Sequence, residues 1–264
     1  MKKENLVIII PARLKSERLS EKLLRKINNV PMILRVAKSA INYKLGDVYV
    51  ATDSKKIFNL CKKNHVNSVM TQANIKSGTD RVFSAYKVLD KKFDLIVNLQ
   101  GDLPIFKKEL IEKTVNLFFD DKTDIASAVC NLENSEIRDT NIVKANVILD
   151  EKNEGFAKDF VRVIKSKKNF YHHIGLYIYT PISLEKYVNL KQTSNEINRS
   201  LEQMRAIDNK MKIKVVKLKN NPPSVDTMED LKKIRLLFKI KFCKILILHT
   251  SDSYCISESN LSGS

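Results

Sequence analysis

The chain has 264 residues, 43% of them hydrophobic and 29% charged, with a formal net charge of +17. That length accommodates one large α/β domain or two small ones, and the charge favours anionic partners such as nucleotides, acidic sugars or nucleic acid. Four scattered cysteines without a CxxC pair argue against structural zinc and fit a reducing compartment, and no stretch reaches the ~18 uncharged apolar residues of a membrane span.

Lys2 and Lys3 precede only the five-residue run Leu6 to Ile10, too short for a secretory leader, so a cytoplasmic location with no membrane partner is expected. Val7 to Ile10 reads as a strand buried on both faces, ended by Pro11, which has no N–H for a ladder. Arg13, Lys15, Arg18 and Lys22 follow within ten residues. A cationic loop at the carboxyl end of a buried strand suits a phosphate-rich ligand; the plainer reading is a solvated basic turn. Residues 1–30 carry eight cations against three acids, while the remaining charge is dispersed. No basic repeat is interleaved with aromatics, so nucleic acid is not expected as a partner.

Pro31 opens a helix with apolar Ile33, Val36, Ala37, Ala40 and Ile41. Strands are expected at Asp47–Ala51 and Asn67–Met70, with Asp53 or Ser54 capping the helix between them. A helix from about Thr79 to Leu89, a strand over Asp94–Leu99 and a helix over Lys107–Phe119 come next. Strands at 124–130 and 142–149 are followed by a poorly patterned segment, 151–170. His172–Tyr179 alternates as a strand, Leu201–Asn209 is helical, Ile213–Leu218 is a strand, and Asp226–Phe238 is a capped helix. The alternation signals an α/β fold with a mainly parallel sheet. The FKIKF alternation at 238–242 suggests a stray strand, leading into a serine-rich end that does not belong to the α/β pattern. The division expected is one domain over 1–238 and an atypical tail over 239–264.

Three short constellations bear chemistry. Asp102 sits just past a strand, after Gly101, which permits a tight turn; a carboxylate there can hold Mg²⁺ against phosphates or simply cap a loop. Asp226 precedes a helix with acids in its first turn, ordinary for an N-terminal cap. Ser77-Gly78-Thr79-Asp80-Arg81 opens a helix whose backbone N–H groups can take a phosphate or read a base edge; the plainer reading is a helix cap. Neither GxGxxG after the first strand nor GxxxxGK[ST] is present.

In order, IIPAR…R…K at 9–22, SGTDR at 77–81, NLQGDLP at 98–104, HIGLYIY at 173–179, LEQMRA at 201–206 and VDTMEDLKKIR at 225–235 resemble the cytidylyltransferases that activate 3-deoxy-manno-octulosonate (KDO). The resemblance covers roughly residues 5–238. It implies a nucleotide-diphospho-sugar transferase-like (Rossmann-like) three-layer sandwich with a mixed, mainly parallel sheet. It also implies transfer of CMP from CTP to KDO with release of pyrophosphate, Mg²⁺ as cofactor, and supply of activated KDO for lipopolysaccharide synthesis. The nucleotide site it implies comprises Pro11, Ala12, Arg13, Arg18, Lys22, Ser77, Gly78, Thr79 and Arg81. Asp102 and Asp226 would bind the metal and, with Lys22, carry catalysis. Gln100, Arg162, His173, Glu202 and Gln203 would meet the sugar. A homodimer through about 130–190 is implied as well.

The pattern departs from the family's at several points. RLPGKPL is RLSEKLL here, placing Glu21 beside the expected triphosphate site; QGDEP is QGDLP, with Leu103 for an acid. Ile75 stands for a histidine, only Phe160-Val161-Arg162 remains of YFSR, and Arg199 replaces a glutamate. A looser phosphate loop and lower CTP affinity are expected. Two alternatives stay open: a cytidylyltransferase for another acidic sugar, sialic-acid-like or a modified KDO, and a catalytically weak nucleotide-binding relative.

Overall fold

A computed structural model of the chain describes residues 5–16, 18–75, 77–119 and 122–240. Its N-terminal half alternates strand and helix: β1 (Leu6–Ala12), a short β2–β3 hairpin (Lys26–Ile27, Val30–Pro31), α1 (Met32–Asn42), β4 (Asp47–Thr52), α2 (Lys55–Lys63), β5 (Ser68–Met70), α3 (Gly78–Tyr86), β6 (Leu95–Leu99) and α4 (Lys108–Val115). The second half comprises β7 (Ile125–Cys130), β8 (Lys144–Val147), β9 (Glu154–Val161), β10 (Phe170–Tyr179), α5 (Pro181–Asn189), α6 (Ser194–Arg199), α7 (Gln203–Asp208), β11 (Ile213–Leu218) and a helix over 228–240, α8.

The strands form one sheet in the order β5-β4-β1-β6-β10-β7-β11-β9-β8, and β8 also pairs with β10, so the far edge folds back on the sheet. Pairs β1–β4, β1–β6, β4–β5 and β7–β11 are parallel, whereas every pair involving β10 and the β8–β9–β11 run is antiparallel. The sheet is therefore mixed, with its parallel character concentrated in the N-terminal half.

The period of two in β1 sorts its side chains into two layers. Ile8 and Ile10 pack with Ile33, Val36 and Ala37 of α1, Ile57 of α2 and Ile111 of α4. Val7 and Ile9 pack with Val82 of α3, Leu184 of α5 and Met204 of α7. Helices thus cover both faces, which makes the three-layer sandwich. A third cluster, Leu19, Ile27, Met32, Val225, Leu231 and Ile234, fastens α8 beside the β2–β3 hairpin.

Several local expectations change. β1 runs through Pro11 to Ala12, opposite Ala51 and Thr52 of β4, while its pairing with β6 covers only Leu6 to Ile9; proline is tolerated where a strand has one neighbour left. Ser54, not Asp53, caps α2. Ile41 is exposed rather than core. The segment thought poorly patterned contains β9, in which only Ala157 and Phe160 are buried, too few to print an alternation. Helices α5 and α6 also lie where none was expected. Residues 238–240 continue α8 instead of starting a strand, and the rest of the 239–264 tail lies outside the described residues. Among the described residues no helix is long and apolar enough to cross a membrane.

Gly46, between α1 and β4, is a site of close approach: a Cβ there would stand 2.2 Å from the Leu6 carbonyl oxygen and 2.7 Å from Leu6 Cβ. Backbone cannot yield as a side-chain tip can, so Gly46→Ala is expected to destabilise the fold by about 1–3 kcal/mol, read as a lower urea midpoint at unchanged slope.

Candidate functional site

The carboxyl ends of β1 and β6 are adjacent because the strands pair in parallel, so the loops that follow them lie side by side above the sheet. β10 runs antiparallel to β6 with Leu176 opposite Leu99, which brings the start of β10 past the same end. These loops, with the start of α8, enclose a cleft of about 890 Å³ whose wall includes Arg13, Lys22, Gly78, Asp102, His173 and Asp226.

At one end Lys22 Nζ donates to Asp102 Oδ2 at 2.7 Å and to Asp226 Oδ1 at 2.9 Å. Arg18 adds a contact to the same Asp226 oxygen at 3.1 Å and donates to Asn141 Oδ1 at 3.0 Å. The segments carrying the two carboxylates are held together by backbone: the Val225 N–H donates to the Asp102 carbonyl at 3.0 Å, with Val225 fully buried. Asp226 is free to face Lys22 because Thr227 takes the capping role. Thr227 Oγ1 accepts the Asp230 N–H, and Asp230 Oδ2 accepts the N–H of Thr227 and of Asp226, a reciprocal cap. Burial works against the Lys22 charge, but Asp102 and then Asp226 outweigh it and raise the ammonium's pKa overall. Gly101 makes no left-handed turn, but the space around it is tight. No glycine among the described residues has positive φ, and a Cβ on Gly101 would meet Leu23 Cδ2 at 3.2 Å, next to Lys22.

Glu21 turns away from this cluster. Its backbone is left-handed, with φ 50°, and its carboxylate pairs with Lys56 of α2 at 2.9 Å, so the negative charge expected beside the phosphate loop is directed elsewhere. Leu103 is buried in the core beneath the loop.

In the helix-start motif, Ser77 accepts the Asp80 N–H as N-cap, while Gly78 N–H and Thr79 Oγ1 donate to Glu202 at 3.3 and 3.0 Å. Glu202 thus sits on the helix N-terminus; burial raises its carboxyl pKa against those hydrogen bonds. Arg81 lines the cleft, but its guanidinium is engaged: it binds Asp53 Oδ2 at 3.0 Å, Thr71 Oγ1 at 2.5 Å and the carbonyls of Gln72 and Ile75. Asp53 in turn accepts the Leu14 N–H at 3.4 Å, so Arg81 braces the 71–75 loop and the basic loop. Arg162 is similarly committed, to the carbonyls of Thr140, Arg199 and Ser200. The remaining expected residues, Pro11, Arg13, Gln100 and Gln203, line the cleft; Ala12 is wholly buried in β1.

His173 is buried, with Nε2 2.9 Å from Ser127 Oγ, which itself donates to the Leu176 carbonyl at 2.7 Å. That partnership assigns the ring proton to Nε2. A break in β10–β7 register between Ile174 and Tyr177 leaves that carbonyl available. Burial, with His172 adding to it, drives the His173 pKa down to about 3, so the ring is neutral. Sequence reading overlooked Ser127, Asn98, Asn141 and the Glu136–His172 pair, 2.9 Å apart on the cleft wall. Asn98 carried a usable signal, a polar residue inside the apolar run of β6; it donates to Thr79 Oγ1 and accepts from Gln100.

The chain is similar to known proteins over most of its length. A family model described as Cytidylyltransferase matches residues 7–213. The 3-deoxy-manno-octulosonate cytidylyltransferase of Rickettsia prowazekii (strain Madrid E) is 37% identical over 248 residues, covering 92% of this chain and 97% of that protein. The protein of the same name from Paramagnetospirillum magneticum is 38% identical, covering 88% and 97%. Among solved structures, a CMP:2-keto-3-deoxy-manno-octonic acid synthetase complexed with CTP superposes with a TM-score of 0.81 at 28% identity, covering 90% of this chain and 99% of that one. A 4-diphosphocytidyl-2C-methyl-D-erythritol synthase from Anaerococcus prevotii shares the fold alone, with a TM-score of 0.60 at 15% identity.

The neutral His173 has a consequence for stability. Unfolding restores an ordinary pKa near 6.5, so between there and about 3 the unfolded chain binds a proton that the folded chain refuses. Stability therefore falls as pH drops through that window. Between pH 6.5 and pH 5 the wild type should lose about 2 kcal/mol more than His173→Gln, measured by urea unfolding at both pH values; equal losses would contradict a neutral buried ring.

Proposed function

The chain belongs to the cytidylyltransferase family and stands within it beside the 3-deoxy-manno-octulosonate cytidylyltransferases, and from that premise we propose how its cleft moves CMP from CTP to KDO. The observation that carries the reading is the meeting of Asp102 and Asp226 on the single ammonium of Lys22, at the edge of the basic loop. The reaction is nucleotidyl transfer: the sugar's anomeric hydroxyl gives up its proton to solvent as its oxygen bonds to the α-phosphorus, the bond from that phosphorus to the pyrophosphate oxygen breaks, and pyrophosphate leaves with that electron pair. No covalent enzyme intermediate is required, so the chain's task is positioning and charge stabilisation.

Arg13, Arg18 and Lys22 would hold the triphosphate. The donor set at Asp102 and Asp226 fits Mg²⁺. Two hard carboxylates face one small cation, and no group of three or more His, Cys, Asp or Glu side chains among the described residues could cage a metal by itself. Mg²⁺ is commonly held in that way, by one or two carboxylates with phosphates and water completing its octahedron. When bound, it supplies charge neutralisation at the α-phosphate and acidifies the attacking hydroxyl. Glu202, set over Gly78 and Thr79, links the nucleotide side of the cleft to the sugar side. Gln100, Gln203 and neutral His173 would supply hydrogen bonds to sugar hydroxyls, and Arg162 adds positive charge on the same wall. We also assign the protein to the cytoplasm, supplying activated KDO for lipopolysaccharide synthesis, with residues 1–238 as the catalytic domain.

The resemblance further supports a homodimer through about 130–190, a region that exposes Ile148 and Val163 at 57% and 53%. Sedimentation equilibrium should give twice the chain mass, and Val163→Asp should shift it toward monomer; a wild-type monomer at high micromolar concentration would exclude the dimer.

Pyrophosphate release with CTP, Mg²⁺ and KDO is the direct assay. Asp102→Asn and Asp226→Asn should each lower kcat by at least about 10²-fold while leaving the unfolding midpoint near that of the wild type. Release with a different acidic sugar but not KDO would select the alternative substrate, and CTP binding without any turnover would select the weak relative.

A further inference from the structure

The two carboxylates assigned to the metal are also the two partners of Lys22. Its ammonium lies 2.7 Å from Asp102 Oδ2 and 2.9 Å from Asp226 Oδ1, with its side chain only 14% exposed. Arg18 contacts the same Asp226 oxygen at 3.1 Å. A divalent cation ligated by both carboxylates at once would take the place between Asp102 Oδ2 and Asp226 Oδ1 that the ammonium now fills, and like charges so close in a partly desolvated cleft repel strongly. A cation bound in that way therefore displaces Lys22. The displaced ammonium, which is costly to leave unpaired in a partly buried place, needs a new anion within reach of its four-carbon stem.

We propose that Lys22 is an internal occupant of the divalent-cation site, and that the site opens when the phosphates of CTP draw the ammonium away. The inference rests on the cytidylyl-transfer reading for the identity of the displacing anion. Two exchanges are then coupled: carboxylates pass from Lys22 and Arg18 to the metal, and the two cations pass to phosphate. By linkage, metal and nucleotide strengthen each other's binding by the same factor. The device keeps the aspartates from collecting divalent cations without nucleotide and holds Lys22 beside the cleft until it is needed.

The test is a titration of Mn²⁺ alone, without nucleotide, into the full chain, with free Mn²⁺ read by electron paramagnetic resonance. Lys22→Met and Lys22→Gln should bind Mn²⁺ at least about tenfold more tightly than the wild type, and adding Asp102→Asn to either should abolish the gain. Lys15 lines the same cleft and is not a partner of either carboxylate, so Lys15→Met reports the general field and should change Mn²⁺ affinity less than about twofold. Equal affinities for the wild type and both Lys22 variants would overturn the proposal, as would an equal gain in Lys15→Met. Pyrophosphate release separates this from failure of the functional reading: Mn²⁺ affinity set by Lys22 in a chain that never turns over CTP and KDO sinks the substrate assignment alone.

Discussion

The cleft is organised by a contact between opposite charges that begin far apart in the chain. Lys22 leaves the first strand's loop, Asp102 the loop after β6, and Asp226 the approach to α8, and all three arrive at one point. Parallel pairing of β1 with β6 brings the first two together. The backbone bond from Val225 to Asp102, made inside an apolar plug of Leu19, Ile27, Met32 and Leu231, brings the third. The chemistry thus depends on core packing as much as on the side chains themselves: a change that loosened α8 would separate the carboxylates without altering either.

Around that point the protein uses cations in two ways. Arg13, Arg18 and Lys22 reach into the cleft. Arg81 and Arg162 line its walls and Lys144 braces the segments behind them: Arg81 is nearly fully buried and ties two loops together. Lys144, with no exposed surface, spends its three donors on the carbonyls of Asp139, Ile142 and Arg162. An ammonium so placed has each proton satisfied by a carbonyl, and burial lowers its pKa against the pull of the Asp139 and Glu136 carboxylates. Part of the high positive charge is therefore structural, satisfying carbonyls where three loops meet, and does not enlarge the anion-binding surface.

Much of this was readable in the sequence because local pattern and tertiary role coincide. The β-branched runs of β1 and β6 announce buried strands, and the motifs after them fall at strand ends, where ligands gather in open α/β sheets. What the sequence hid depends on partners elsewhere. Strand β9 buries only two of its eight side chains, so no alternation marks it. Pro11 stays in the ladder because β6 has already left its side. Asp226 reads as a cap until Thr227 is seen to fill that role. Glu21 looks intrusive in the linear order, but a left-handed residue and Lys56 turn it outward. Arg81 reads in the linear motif as a nucleotide contact, and in the fold its guanidinium binds Asp53 and neighbouring loop atoms.

The central claim is that Asp102 and Asp226 act as one cation site which Lys22 serves from the side. The most direct measurement is a crystal structure of the full chain with CTP and Mn²⁺, located by its anomalous signal. The account predicts one Mn²⁺ ligated by both carboxylates, with Lys22 Nζ moved from them onto phosphate. Manganese bound by nucleotide alone, with Lys22 still between the two aspartates, would contradict it.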